Sequence, residues 1–258
     1  MSEFRVNSIT NQDGSTGPQV CGVTTFSGNS GVRIPSGPTE FRSHDGSGRG
    51  RGVFAGGATP TKINVIDTVQ ISTRANATDF GDLSTAKNGV AALASATRGV
   101  FAGGYTPTNQ STIEYLNFQS SGGVNDFGDL ISATIDQMSG SNNTIGIFSR
   151  QRETQFITIA STGDATDFGG DTTVSRYYGM QSNCSPTRMV IGGGAVPPSV
   201  VGTIDFFTFA TKGDAVAFGE MSVARKGYGA GGNSTRGIFA GGYTPTFVDT
   251  IDFITIAS

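Results

Sequence analysis

The chain has 258 residues, 39 of them glycine, only 14% charged residues and a formal net charge of −3. That charge gives no electrostatic footprint for nucleic acid. No apolar run approaches the roughly 18 residues that span a bilayer, and a residue pool rich in Gly, Thr, Ser and Asn disfavours a helical bundle.

The first residues, Met1 to Arg5, hold no apolar signal core, so secretion by a conventional signal is not expected. Residues 1–29 are polar and carry a turn at Asn11-Gln12-Asp13-Gly14 and a strand-like run from Val20 to Phe26. They hold none of the markers that recur later. We read them as an N-terminal attachment arm that orders on a partner, the plainer alternative being a terminal tail. Residues 30–258 form the second region, and there the chain repeats itself.

Arg51-Gly52-Val53-Phe54-Ala55-Gly56-Gly57 returns nearly unchanged at Arg98 to Gly104 and at Arg236 to Gly242. Weaker copies run from Arg188 to Gly193 and from Thr144 to Arg150. Aligned on Phe54, Phe101, Phe148, Ile191 and Phe239, the copies are 47, 47, 43 and 48 residues apart. Each is followed by an acidic or amide residue: Asp67, Glu114, Gln155, Asp205 and Asp252. Thirteen residues beyond the first four of these stands a Phe-Gly pair, at Phe80, Phe127, Phe168 and Phe218. In the third copy only seven residues separate Phe148 from Gln155. A shortened hairpin loop is the expected cause, because length varies in connections and not in the strands they join.

Each unit holds four strand-like stretches between turn residues. In the second unit these are Gly89 to Ser95, Arg98 to Gly104, Ser111 to Gln119 and Asp126 to Ile131, with Tyr105-Thr106-Pro107-Thr108 as a turn. The Gly/Ala-rich first stretch suits an innermost position where space is short. The third stretch, as in Thr250 to Ile256, is apolar on both faces, as in a strand covered on both sides. Four strands per 40–50-residue repeat specify a β-propeller. We expect an all-β propeller of five four-stranded blades. The last copy ends after its third strand, so Val32 to Pro35 is expected to supply an outer strand and Phe41 to Gly48 an inner one, closing the last blade with N-terminal strands.

The Gly-Gly strand ends, the 43–48-residue period and the aromatic of each Phe-Gly pair resemble kelch-type propellers, with Phe80, Phe127, Phe168 and Phe218 where that family usually has Trp. Arg5-Val6-Asn7-Ser8-Ile9-Thr10-Asn11, Gly17-Pro18-Gln19-Val20 and Ile34-Pro35-Ser36-Gly37-Pro38-Thr39-Glu40 resemble the openings of structural proteins of tailed phages, those of marine cyanobacteria in particular. This second resemblance implies a virion component assembled in the host cytoplasm.

The chemistry-bearing residues are few. His44 is the sole histidine, which excludes a multi-histidine metal site. Cys21 and Cys184 have neither a disulfide framework nor zinc spacing. Gly192-Gly193-Gly194 and Gly231 to Thr235 lack the Gly-Lys-Ser/Thr of a phosphate loop. The clusters Asp79/Asp82, Asp126/Asp129 and Asp164/Asp167/Asp171 do not reproduce a calcium loop. They recur with the repeat, so we read them as turn architecture rather than a glycosidase pair. Arg51, Arg98, Arg188 and Arg236 each open a second strand and would surround one face of a ring, with Thr144 in the fifth place. Two readings arise: an anion site, or pairing with neighbouring acids while the stems cover the blade edge. Tyr105 and Tyr243 fall in loops of the opposite face, where amphipathic rings suit sugar or protein contacts.

The expectation is therefore a non-enzymatic virion structural protein of a tailed phage, on the tail or the capsid surface, without cofactor, catalytic residues or metal. Its partners would be other virion proteins, through the arm, and a host surface glycan or protein, through the propeller loops. It would have no nucleic acid partner, would not insert into a membrane and would be present in multiple copies per particle. The alternatives are a carbohydrate-binding or carbohydrate-cleaving host-recognition module and a cellular kelch-like adaptor.

Overall fold

The structure is a computed structural model that describes residues 50–71, 73–120 and 122–256. The arm at residues 1–29 and both candidate closing strands, Val32 to Pro35 and Phe41 to Gly48, lie outside the described residues.

The fold is an all-β propeller of five blades, each an antiparallel sheet, with no helix among the described residues. Blade 1 comprises β1 (Arg51–Ala55), β2 (Val65–Gln70) and β3 (Thr78–Asp82). Blade 2 comprises β4 (Ala91–Ala94), β5 (Arg98–Ala102), β6 (Gln110–Asn117) and β7 (Asn125–Thr134). Blade 3 is built from β8 (Met138–Ser141), β9 (Ile145–Arg150), β10 (Glu153–Thr158) and β11 (Thr166–Asp167). Blade 4 has β12 (Gln181–Cys184), β13 (Arg188–Gly192), β16 (Thr203–Thr208) and β17 (Val216–Glu220), and a small hairpin of β14 (Ala195–Val196) and β15 (Ser199–Val200) lies in the connection from β13 to β16. Blade 5 presents β18 (Gly229–Gly232), β19 (Arg236–Ala240) and β20 (Ile251–Thr255).

The third repeat loses its loop as its spacing predicts. β9 runs directly into β10 through Gln151 and Arg152, with Arg150 paired to Glu153 and Gln151 at a φ of 58°. In blade 2 the corresponding connection needs Gly103 and Gly104 at φ 67° and 103°. A Cβ on Gly103 would also stand 2.7 Å from the Thr134 carbonyl, so neither conformation nor space admits a side chain there.

The inner strands β4, β8, β12 and β18 follow one another around the centre. Serine hydroxyls stitch them: Ser139 donates to the Ala92 carbonyl at 2.7 Å and Ser182 to the Ser139 carbonyl at 2.6 Å. The residues at these contacts, Ala92, Ser139 and Ser182, are small, which lets the strands approach this closely.

Further out, the middle strands of blades 2, 3 and 4 bury both faces in cores shared between successive blades, whereas Phe54 of blade 1 and Ile251 and Phe253 of blade 5 stand exposed, so the run from Thr250 to Ile256 is not covered on both faces as its apolar pattern leads one to expect. Phe101 packs with Ile66, Phe80 and Leu83 of blade 1, Phe148 with Ile113 and Phe127 of blade 2, and Phe239 with Val190 and Ile204 of blade 4. The marking aromatic of the second, third and fifth repeats is thus the knob that one blade sets into the blade before it, Ile191 takes that place in the fourth, and Phe54 of the first stands exposed. The Phe-Gly pairs have a second use. The carbonyls of Phe80, Phe127 and Phe168 accept the N–H groups of Gly122, Gly163 and Gly213 in the following blade, at 2.9, 2.7 and 3.3 Å. At Gly128, with φ 143°, a Cβ would come within 2.5 Å of the Gly163 backbone, so the glycine lets two backbones touch.

Candidate functional site

The recurring acidic or amide position of the third strand lies where blades join in blades 2 to 5. Lys87, in the linker entering blade 2, reaches Glu114 at 2.6 Å, with both side chains almost wholly buried. Arg176 reaches Asp205 at 2.7 Å, and Arg225 reaches Asp252 at 2.9 Å. The other carboxylate oxygen of Glu114 and of Asp205 holds the same linker, accepting from Ser84 N–H at 3.0 Å and from the Thr173 hydroxyl at 2.5 Å, whereas in Asp252 the oxygen that meets Arg225 also accepts from Ser222 N–H at 3.2 Å. In blade 3 the neutral Gln155 accepts from Ile131 N–H at 2.8 Å, and Thr134 stands where the other linkers carry a cation. Ladder register shifts at Ile113/Glu114 and Ile204/Asp205 aim these side chains out of the ladder and toward the linker. Burial pushes the Asp252 carboxyl up, but hydrogen bonds from Ser222 and Arg225 outweigh it and hold the group below the usual carboxylate range. These pairs are fasteners between blades. Their cations, Lys87, Arg176 and Arg225, escaped the sequence reading. The signal was present, since each lies 14 or 15 residues before the residue that marks its repeat, Phe101, Ile191 and Phe239.

Among the described residues the recurrent arginines form no ion pair, which does not support the reading that each meets a neighbouring acid. Arg51 donates to the Phe118 carbonyl and Arg98 to the Ile159 carbonyl, both at 2.8 Å and both in the next blade. The guanidinium groups of Arg98, Arg188 and Arg236 lie over the rings of Tyr115, Phe206 and Phe253 at 4.5, 4.5 and 4.8 Å. The ladder explains the choice. Arg98 pairs with Asn117, so Tyr115 is its diagonal neighbour on the same sheet face. Carbonyl capping and stacking therefore engage these cations within the repeat.

The acidic clusters are turn architecture, as their recurrence indicates. Asp79 accepts from Gly81 N–H at 3.0 Å and Asp167 from Gly169 N–H at 2.9 Å. Asp164 and Asp214 each reach a backbone N–H of the preceding blade, at Asp129 and Asp171. Among the described residues no three His, Cys, Asp or Glu side chains gather as metal ligands. The central channel is about 260 Å³ and is lined by Ala92, Ser139, Ser182, Gly231 and their strand neighbours. Among the described residues that line it the one titratable group is Cys184, whose thiol burial pushes up to about 12 against a hydrogen bond at Ser141. It remains a thiol at neutral pH and is a poor nucleophile.

The opposite end of the blades, where second strands finish in Gly-Gly, presents a different surface. Tyr105 and Tyr243 follow directly after the glycines and are 38% and 39% exposed, as is Tyr178 at 39%. Lys62 lies over the Tyr105 ring at 4.0 Å. Lys226 stands 4.9 Å from the Tyr178 ring and 5.7 Å from that of Tyr243, joining blades 4 and 5. Phe247 meets Tyr243 edge to face and is almost fully exposed. Tyr178 and the two lysines were missed in the sequence because the residue type changes between copies, although the positions recur: Tyr178 and Lys226 both stand 13 residues before the residue that marks their repeat, and Lys62 and Phe247 both stand eight after it. Half-exposed rings beside ammonium groups make a surface suited to sugar faces that carry carboxylates.

No protein-family model matches the chain, and no curated protein matches it in sequence.

Proposed function

We propose that this protein is a non-enzymatic virion component of a tailed phage, on the tail or the capsid surface, that binds through its propeller. The observation that carries the binding role is the rim of Tyr105, Tyr178 and Tyr243 with Lys62 and Lys226 beside them. The ligand class that fits this rim is an acidic host-surface glycan. A propeller fold alone supports many functions, so the rim and not the fold bears the argument. The non-enzymatic reading is supported by the uses of the repeated acids: each described above is bonded to a turn, a linker or a buried cation. The virion reading rests on the leader residues Arg5 to Asn11, Gly17 to Val20 and Ile34 to Glu40. In this reading the kelch-like propeller is present in several copies per particle, and residues 1–29 dock it to other virion proteins.

Mass spectrometry of purified particles tests the virion reading, and absence of the chain from them refutes it. A glycan array with the wild type and with Tyr105→Ala and Lys226→Ala variants tests the rim. Loss of binding to acidic glycans in the variants is expected. Release of sugar products from host polysaccharide would overturn the non-enzymatic reading and favour a glycan-cleaving module.

A further inference from the structure

Blade 3 departs from its neighbours around one slot. In blade 4 the guanidinium of Arg176 fills the space between linker and sheet, donating to the Gly193 and Thr203 carbonyls at 2.8 and 2.9 Å and to the Asp205 carboxylate at 2.7 Å. The residues at these four places of the repeat in blade 3 are Thr134, Arg150, Glu153 and Gln155. All four line a cavity of about 180 Å³, together with Ser132 and Gln137. Threonine is too short to span the slot that an arginine fills in blade 4, so the space stays open.

The walls of the slot are polar and only partly bonded. Gln137 and Gln155 are 7% and 5% exposed. Gln137 donates through Nε2 to the Ala102 carbonyl at 3.2 Å, and Gln155 accepts through Oε1 from Ile131 N–H at 2.8 Å. Among the described residues the other end of each amide, Oε1 of Gln137 and Nε2 of Gln155, has no hydrogen-bond partner. Neither atom is sealed off from solvent, so both open on the cavity they line. Glu153 accepts from the Ser132 hydroxyl through Oε2, which leaves Oε1. Arg150 donates through Nε to the Tyr177 carbonyl and through Nη1 to the Thr134 hydroxyl, which leaves Nη2. Two donors and two acceptors thus border one space, with one charge of each sign.

We propose that this slot binds one ring of a neutral sugar. Each sugar hydroxyl both donates and accepts. Adjacent hydroxyls therefore match Arg150 Nη2 and Gln155 Nε2 as donors beside Glu153 Oε1 and Gln137 Oε1 as acceptors, and the two charged groups give the stronger bonds. Arg150 and Glu153 cancel, so the slot favours no net charge on its ligand. Its volume is below the roughly 300 Å³ at which pockets for larger ligands begin, which limits the occupant to a single ring. The slot shares no residue with the rim of Tyr105, Tyr178 and Tyr243, and its ligand does not depend on the virion reading.

The test uses the full-length protein labelled with ¹⁵N and titrated with the methyl pyranosides of glucose, galactose and mannose. At least one should shift the side-chain amide signals of Gln137 and Gln155, with a dissociation constant on the order of 1 mM. The backbone signals of Tyr243 and Phe247 should stay in place. Thr134→Lys combined with Gln155→Glu rebuilds in blade 3 the Lys87–Glu114 pair of blade 2 and refills the slot. It should weaken binding about tenfold or more while stability to urea is kept, with Gln137 as the reporter. Glu153→Gln, at an exposed position, should weaken binding several-fold without unfolding the chain. The proposal is overturned if none of the three glycosides shifts Gln137 or Gln155, or if the response is confined to Tyr243 and Phe247. Binding unchanged in the refilled double variant would overturn it as well. Methylguanidinium, which carries the head group of Arg176, is the competing probe: shifts at the two glutamines with it and not with the glycosides would assign the slot to a cation and refute the sugar.

Discussion

Glu114→Gln tests the fasteners between blades directly. Lys87 and Glu114 are 2.6 Å apart, with side-chain exposures of 1% and 2%. Neutralising the acid leaves the lysine ammonium buried without its counter-charge, which costs about 3–5 kcal/mol in comparable buried pairs. The hydrogen bond from Ser84 N–H is retained, since Gln keeps the accepting oxygen. Lys87→Met combined with Glu114→Gln removes both charges at similar volume and reproduces the uncharged chemistry that blade 3 already has at Thr134 and Gln155. The double variant should therefore recover more than half of the loss, leaving about 1–2 kcal/mol for the amide hydrogens that gain no partner. Urea denaturation followed by circular dichroism, with both single variants and the double variant in one cycle, measures the coupling. A cost below about 1 kcal/mol for Glu114→Gln alone would show that the pair is solvated rather than buried. A double variant as unstable as the sum of the singles would show that the two side chains do not act on each other.

Phe101→Ala, which removes the knob from the core of Ile66, Phe80 and Leu83, should cost about 3–5 kcal/mol in the same assay, whereas Ile131→Ala on an exposed outer strand should stay within about 0.5 kcal/mol. Gly128→Ala should destabilise the junction of blades 2 and 3, and hydrogen exchange should rise first at Gly163, whose N–H the Phe127 carbonyl accepts at 2.7 Å. Asp252 has a folded-state pKa held below its unfolded value, so its contribution is present above the unfolded pKa and lost as pH falls through the folded one. Asp252→Asn should lower stability at pH 7 by stranding Arg225 and should flatten the acid limb of the stability profile below about pH 4, as read by thermal unfolding across pH.

Much of the fold is legible in the sequence because a repeat states its geometry several times over. The aromatic spacing sets the blade count, the short gap between Phe148 and Gln155 foretells a tight hairpin at Gln151 and Arg152, and the Ala/Gly-rich stretches identify the inner strands. These are local properties: strand period, turn chemistry and residue volume act within one blade, so a linear pattern carries them. The roles of the polar residues were not legible in the same way. The arginines that open second strands looked like partners for acids, yet Arg98 takes a carbonyl from the next blade and a ring two residues along the facing strand. The cations that do meet acids, Lys87, Arg176 and Arg225, lie in linkers whose path only the packed blades define. The same holds for Lys226, which joins Tyr178 to Tyr243 across two blades. Sequence by itself determined the blade and its repetition, because backbone geometry and apolar volume are set by near neighbours. Tertiary structure alone decided the polar partners, because a charge pairs with whatever the fold brings within about 4 Å, and in this propeller that partner lies on a facing strand, at the far end of a linker or in the next blade.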